Sequence, residues 1–137
     1  MTTIADALTS LGITEWVYRG VEATTESEFN ERFRKVVGSK DGTAIESSDP
    51  KDFGTTWKAV SDKKTELVNA EPMRLLRVER DRLLAETDWT ALGDVTQSSD
   101  MKSYRTKLRD LPASASPKLS SDGSLDMSSV TWPTKPS

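Results

Sequence analysis

The chain has 137 residues, a net charge of −3, 30% charged residues and neither His nor Cys. This composition predicts a soluble protein with a modest core, and it excludes disulfide bonds, thiolate metal sites and catalysis by His or Cys. The small negative charge argues against non-specific binding to nucleic acid, and no stretch approaches the roughly 20 apolar residues of a membrane span.

The first 20 residues predict a helix followed by a short strand. Ile4, Leu8 and Leu11 recur at helical spacing, and Gly12 is suited to end the helix. The sequence TEWVYRG, residues 14–20, then predicts a strand. The N-terminus lacks the basic start and long apolar stretch of a signal peptide, so we expect no secretion by that route.

The stretch from Thr25 to Gly38 has a strong helical pattern. Thr25 and Glu28 fit a capping box at its start. The apolar residues that follow at helical spacing are Phe29, Phe33, Val36 and Val37. We therefore expect one amphipathic helix that runs through residue 37 and ends at Gly38.

Residues 39–71 predict a turn, a short strand and a further helix. The turn lies in KDG and the strand in TAIE, and Trp57, Val60 and Leu67 then recur at helical spacing. Pro72 either begins a new helix or kinks a continuous one, and the sequence leaves both alternatives open.

Residues 72–87 predict a helix that is apolar on two sides. One side holds Met73, Leu76, Leu83 and Leu84. Leu75 and Val78 lie roughly opposite, and a helix with two apolar sides is usually sandwiched or shared with another chain. We predict partner contacts at Leu75, Val78, Arg82 and Trp132.

The C-terminal third predicts one more helix and an extended tail. Ser98 or Ser99 can cap a helix that Pro112 would end. Residues 113–137 are rich in Ser, Thr and Pro, and VTWP within them predicts a short edge strand. The expected fold class is α+β: a small, mostly helical protein with a minor antiparallel sheet and an extended C-terminal segment. We expect two regions, residues 1–70 and 71–137.

Sequence motifs of catalysis and cofactor binding are absent. There is no phosphate-binding glycine loop and no nucleophile elbow, and the aspartates of residues 41–52 lack the ligand spacing of a calcium-binding loop. Four carboxylates lie close together in sequence, at Glu79, Asp81, Glu86 and Asp88. They favour a solvated helix face over the acid pair of a glycosidase. We predict no catalytic residue, no metal and no cofactor.

Residues 71–137 contain three further motifs. Residues 80–89 fit R-x-x-L-L-x-x-(T/S)-D-W, residues 104–112 fit Y-R-x-x-L-R-D-(L/I)-P, and residues 132–136 read WPTKP. Together they resemble the phage tail assembly chaperone-like domain of tail fibre assembly proteins. We expect Asp88 to end its helix and Trp89 to fold back onto Leu83 or Leu84. The residues expected to bridge the two helices are Arg105, Arg109 and Asp110.

The resemblance implies a non-enzymatic bacteriophage protein that acts through protein–protein contacts. The leading hypothesis is a tail or tail-fibre structural protein retained in the virion. The alternatives are a transient tail-fibre assembly chaperone, present in the host cytoplasm only during assembly, and a small protein that binds a host factor. The expected partners are phage tail or tail-fibre subunits. Association of the chain with itself as a homo-oligomer is left open, and binding to nucleic acid or membrane is not expected.

Overall fold

The computed structural model describes residues 2–137. Within that range the helices are α1 Ile4–Ser10, α2 Glu26–Arg32, α3 Trp57–Thr87 and α4 Ser99–Ser114, and the strands are β1 Trp16–Tyr18, β2 Phe33–Lys40 and β3 Thr43–Ser47. Short 3-10 helices lie at Pro50–Asp52, Asp88–Ala91 and Met127–Ser129. With 52% helix and a small antiparallel sheet, the predicted α+β class is confirmed.

The chain divides into two compact units, with the boundary between Asn69 and Ala70. Helix α3 runs through this boundary, so it contributes its first 13 residues to the N-terminal unit and the remainder to the C-terminal unit. The predicted ambiguity at Pro72 is thereby resolved in favour of one continuous helix, in which the proline lies inside.

Aromatic side chains form the core of the N-terminal unit. Phe29, Phe33 and Phe53 are buried together, with ring centroids 5.0 Å apart for the first pair and 4.7 Å for Phe33 and Phe53. Helix α1 packs Ile4 and Leu8 into the same cluster. The helix begins at a capping box between Thr3 and Asp6, which satisfies backbone N–H groups at its first turn.

The predicted helix over residues 25–37 is wrong in its second half. Helix α2 ends at Arg32, and Phe33 adopts an extended backbone and begins β2. Thr25 caps α2 by accepting from the Glu28 backbone N–H, but the predicted capping box is incomplete, because the Glu28 side chain accepts from the Thr24 and Thr25 hydroxyls. Beyond the helix, β-branched Val36 and Val37 suit a strand, and pairing with β1 and β3 supplies backbone hydrogen bonds that the sequence pattern does not reveal.

The sheet has the antiparallel order β1–β2–β3. Tyr18 pairs with Phe33, and Lys40 pairs with Thr43. The predicted turn and strand at residues 40–46 are confirmed as the β2–β3 hairpin. Asp41 and Gly42 form its turn with φ of 52° and 79°, as a two-residue hairpin turn requires.

The C-terminal unit consists of the second part of α3, α4 and an extended segment. Ser98 caps α4 as predicted, but the helix passes Pro112 and ends at Ser114. A proline fixes a φ value that is compatible with a helix, so near the end of α4 it need not break the last turn. The expected edge strand at VTWP is also wrong: residues 131–137 form no regular secondary structure, and an isolated bridge joins Leu119 and Leu125 instead.

Across residues 2–137, none of the helices is both long and apolar enough to cross a membrane.

Candidate protein-binding site

The predicted contact residues on α3 share one face of the helix. Leu75, Val78 and Arg82 follow at i, i+3 and i+7, which places them in one stripe. Val78 is 56% exposed, Leu75 is half-buried and Arg82 is exposed. Leu76, one position along the helix from Leu75, is fully buried and faces the interior of the unit. The stripe therefore lies on the outward side of α3.

Arg82 is the charged residue of the stripe. Its guanidinium donates to Glu79 at 2.6 Å and to Glu86 at 2.7 Å. The hydrogen bond from Arg82 lowers the pKa of Glu79, since it stabilises the ionised carboxylate. Such exposed ion pairs contribute little to stability, but they keep the stripe charged at one end.

The four clustered carboxylates do not converge on a cleft. Each is paired with an arginine: Glu79 and Glu86 with Arg82, Asp81 with Arg80, and Asp88 with Arg105. This arrangement is a solvated helix face. Among residues 2–137 there is also no group of three or more Asp or Glu side chains that could hold a metal ion.

Trp132 lies apart from the α3 stripe. It packs against a core of buried Leu76, Leu111 and Val130, and its indole N–H donates to the Met127 carbonyl at 3.2 Å. Trp132 also lines a cleft of about 450 Å³ together with Lys107. Trp132 thus holds the segment on the unit and remains half-exposed beside a cleft.

Trp89 does not fold back onto α3, contrary to expectation. Its side chain is 60% exposed, whereas Thr87 and Thr90 on either side are buried. The Thr90 hydroxyl donates to the Thr87 carbonyl at 2.6 Å and accepts from the Gln97 amide at 2.8 Å. Because the short 3-10 helix turns these threonines inward, it turns the indole outward.

The exposed indole borders a second cleft that the sequence pattern did not reveal. Trp89, Val95 and Met101 line it together with residues 135–137, and its volume is about 280 Å³. Leu92 nearby is 56% exposed. The presence of two large apolar residues, Trp89 and Leu92, in the short polar stretch between α3 and α4 is the sequence signal that could have identified this surface.

Arg105 links the two helices of the C-terminal unit, as expected. From α4 its guanidinium donates to the Leu84 carbonyl at 2.9 Å, to the Thr87 hydroxyl at 2.7 Å and to Asp88 at 2.8 Å. The corresponding expectation for Arg109 is wrong. Its exposed side chain donates to Thr106 of its own helix at 3.3 Å.

Comparison with known proteins supports the resemblance of the C-terminal motifs. The model of the family described as phage tail assembly chaperone protein matches residues 73–137. No curated protein and no solved structure matches the chain. The match takes in nearly the whole C-terminal unit, including Arg105 and Trp132. Residues 73–137 of this chain are therefore similar to the phage tail assembly chaperone family.

Proposed function

We propose that the chain serves phage tail assembly as a non-enzymatic protein that binds tail or tail-fibre subunits in the host cytoplasm. The family match over residues 73–137 carries the proposal. The match supports an assembly role for the C-terminal unit, whose surface offers apolar side chains and arginine–carboxylate pairs but no converging catalytic groups.

The clefts beside the C-terminal segment are the proposed contacts for a tail subunit. Trp132 lines one cleft and Trp89 the other. Exposed tryptophan is a frequent centre of protein interfaces, because a large apolar ring loses water on binding while its N–H can still donate. Leu75, Val78 and Arg82 form a separate proposed contact surface on α3.

Affinity capture from infected cells tests this proposal. With a tagged chain, we expect tail or tail-fibre subunits to be recovered, and Trp89→Ala to reduce their recovery by about tenfold, as for a buried aromatic contact. Val21→Ala is the matched control, because Val21 is 72% exposed and lies in the N-terminal unit. Recovery of a host protein in place of tail subunits would support the host-factor alternative instead.

Retention in the virion is a separate prediction. Quantitative mass spectrometry of purified particles should detect the chain in a fixed ratio to tail proteins. If the chain is recovered with tail subunits from cell lysates but is missing from purified particles, its role is that of a transient assembly chaperone.

A further inference from the structure

The outward face of α3 in the C-terminal unit has residues at the spacing of a helix pair. Glu71, Leu75, Val78, Arg82 and Ala85 are separated by alternating steps of four and three, and we call this set the outer seam. A 4–3 alternation keeps side chains on one line along a helix, as in coiled coils. The seam spans about 21 Å of helix, at about 1.5 Å per residue.

Every residue of the outer seam is at least partly accessible to solvent. Val78, Arg82 and Ala85 are exposed, and Glu71 and Leu75 are half-buried. The buried Leu76 packs with Leu111 and Val130 on another side of the helix. The described residues of this unit therefore leave two neighbouring aliphatic side chains, Leu75 and Val78, without full cover.

We propose that a second copy of this chain covers the outer seam, with the two α3 helices antiparallel. The inference rests on the proposed role of Leu75, Val78 and Arg82 as a protein contact, and it names the partner. In this arrangement Leu75 of each copy packs on Val78 of the other at the two-fold axis.

The charges of the seam match in the antiparallel register. When residue 75 opposes residue 78 of the second copy, Glu71 opposes Arg82 of the second copy, and the same pair recurs by symmetry. Beside the seam, Arg74 faces Asp81 of the second copy. Four pairs of opposite charge thus flank the aliphatic centre, and such flanking pairs set partner choice and orientation in helix pairs.

A parallel register brings like charges together. It places Glu71 against Glu71 and Arg82 against Arg82 on either side of the aliphatic centre, where the like charges repel. Within the chain, Glu71 pairs with Arg74 at 2.6 Å, and Arg82 bridges Glu79 and Glu86. The arginines of these pairs are exposed, and Glu71 and Glu79 are half-buried. Since ion pairs at a protein surface are individually weak, sharing them with a second copy costs little.

The contact is small, so we expect a reversible monomer–dimer equilibrium at micromolar concentration. Sedimentation equilibrium of the purified chain, in the absence of tail proteins, measures it directly. Val78→Glu should weaken dimerisation by at least about tenfold, because it places a charge at the two-fold axis. Arg77→Glu is the control: it changes an exposed residue of the same helix outside the seam and should leave the dimer intact.

Exchanging the charges of Glu71 and Arg82 distinguishes a direct loss of the dimer contact from a loss of helical structure. Glu71→Arg and Arg82→Glu should each weaken the dimer, and the double variant should restore it, since each pair is then reformed with its signs reversed. Loss of helix in either single variant could not be rescued in this way, because residues 71 and 82 lie about three turns apart on one helix.

The orientation is tested with thiols, for which the cysteine-free chain is suited. A mixture of Glu71→Cys and Arg82→Cys chains should form a mixed disulfide dimer, and neither variant alone should cross-link, because its two thiols would lie about 16 Å apart along the helices. Three outcomes overturn the proposal. The chain stays monomeric at high concentration, Val78→Glu leaves the dimerisation constant unchanged, or one of the two cysteine variants cross-links efficiently by itself. None of these outcomes bears on recovery of tail subunits, which is the separate test of the proposed function.

Discussion

Arg105 is the residue that fixes α4 against the end of α3, and its side chain is 12% exposed. Arg105→Met should lower the free energy of unfolding by about 2 kcal/mol, because the Leu84 carbonyl and Thr87 hydroxyl lose a charged donor while the aliphatic stem is kept. Urea unfolding measures the difference. Arg109→Met is the matched control on the same helix. Its hydrogen bond is a single exposed one at 3.3 Å, so the expected change is within about 0.5 kcal/mol.

Individual residues were predictable from sequence where their role is local. The caps at Thr25 and Ser98 bond backbone N–H groups three residues ahead, so sequence spacing alone determines them. Arg105 was predictable because its motif places it near the end of the preceding helix. The exposure of Trp89 was not predictable. It depends on Thr87 and Thr90 turning inward and on Gln97 reaching back, and hydrophobicity alone favours burial of an indole.

At the scale of elements, the β2–β3 hairpin depends on its turn. Gly42 has φ of 79°, and no atom lies within 4 Å of the position a Cβ would take. Gly42→Ala should therefore destabilise the N-terminal unit by about 1 kcal/mol through backbone strain alone. Thermal unfolding followed by circular dichroism measures the change. Gly93→Ala also has open space around its added methyl group but no positive φ, so equal losses in both variants would contradict the turn argument.

The α2–β2 junction shows why element boundaries are harder to predict than elements. Phe29 and Phe33 are four residues apart, which fits a helix, and both are buried. Phe33 nevertheless belongs to the strand, where it pairs with Tyr18. The spacing of apolar residues indicates which side chains face the core, but it does not show whether the backbone that carries them is helical or extended. A pairing partner 15 residues away decides between helix and strand.

For the whole molecule, the absence of histidine determines the pH response. The pKa of Glu28 is lowered from 4.5, first by a hydrogen bond from Thr24 and then by Arg32, and the pKa of Glu46 is lowered by Arg19. A lowered pKa in the folded state adds stability above the unfolded value, and this is lost as pH falls through the folded value. The melting temperature should be flat between about pH 5.5 and 7 and should fall below about pH 4.

Glu46→Gln tests the electrostatic part of this acid loss. The variant keeps a polar side chain opposite Arg19 but cannot be protonated, so its melting temperature should fall less steeply than that of the parent chain below about pH 4. Stability that increases on acidification, or a transition near neutral pH, would contradict the assignment of the response to carboxylates.

The division of the chain at residue 70 leads to a prediction about folding. A fragment of residues 70–137 contains the buried Leu76, Leu111 and Val130 together with every hydrogen bond of Arg105. Its new N-terminus places Glu71 and Pro72 in the first helical turn, where an acidic side chain and a proline are both favourable. We expect the fragment to fold alone and to melt cooperatively, with a transition visible by circular dichroism.

The C-terminal segment provides the control for this fragment. A shorter fragment of residues 70–114 lacks Leu125, Val130 and Trp132, which cover Leu76 and Leu111. With about half of its small core removed, it should keep some helix but lose the cooperative transition, since a unit this size has little stability to spare. If both fragments melt alike, the segment does not belong to the core. If neither shows a transition, folding of the C-terminal unit requires the first part of α3.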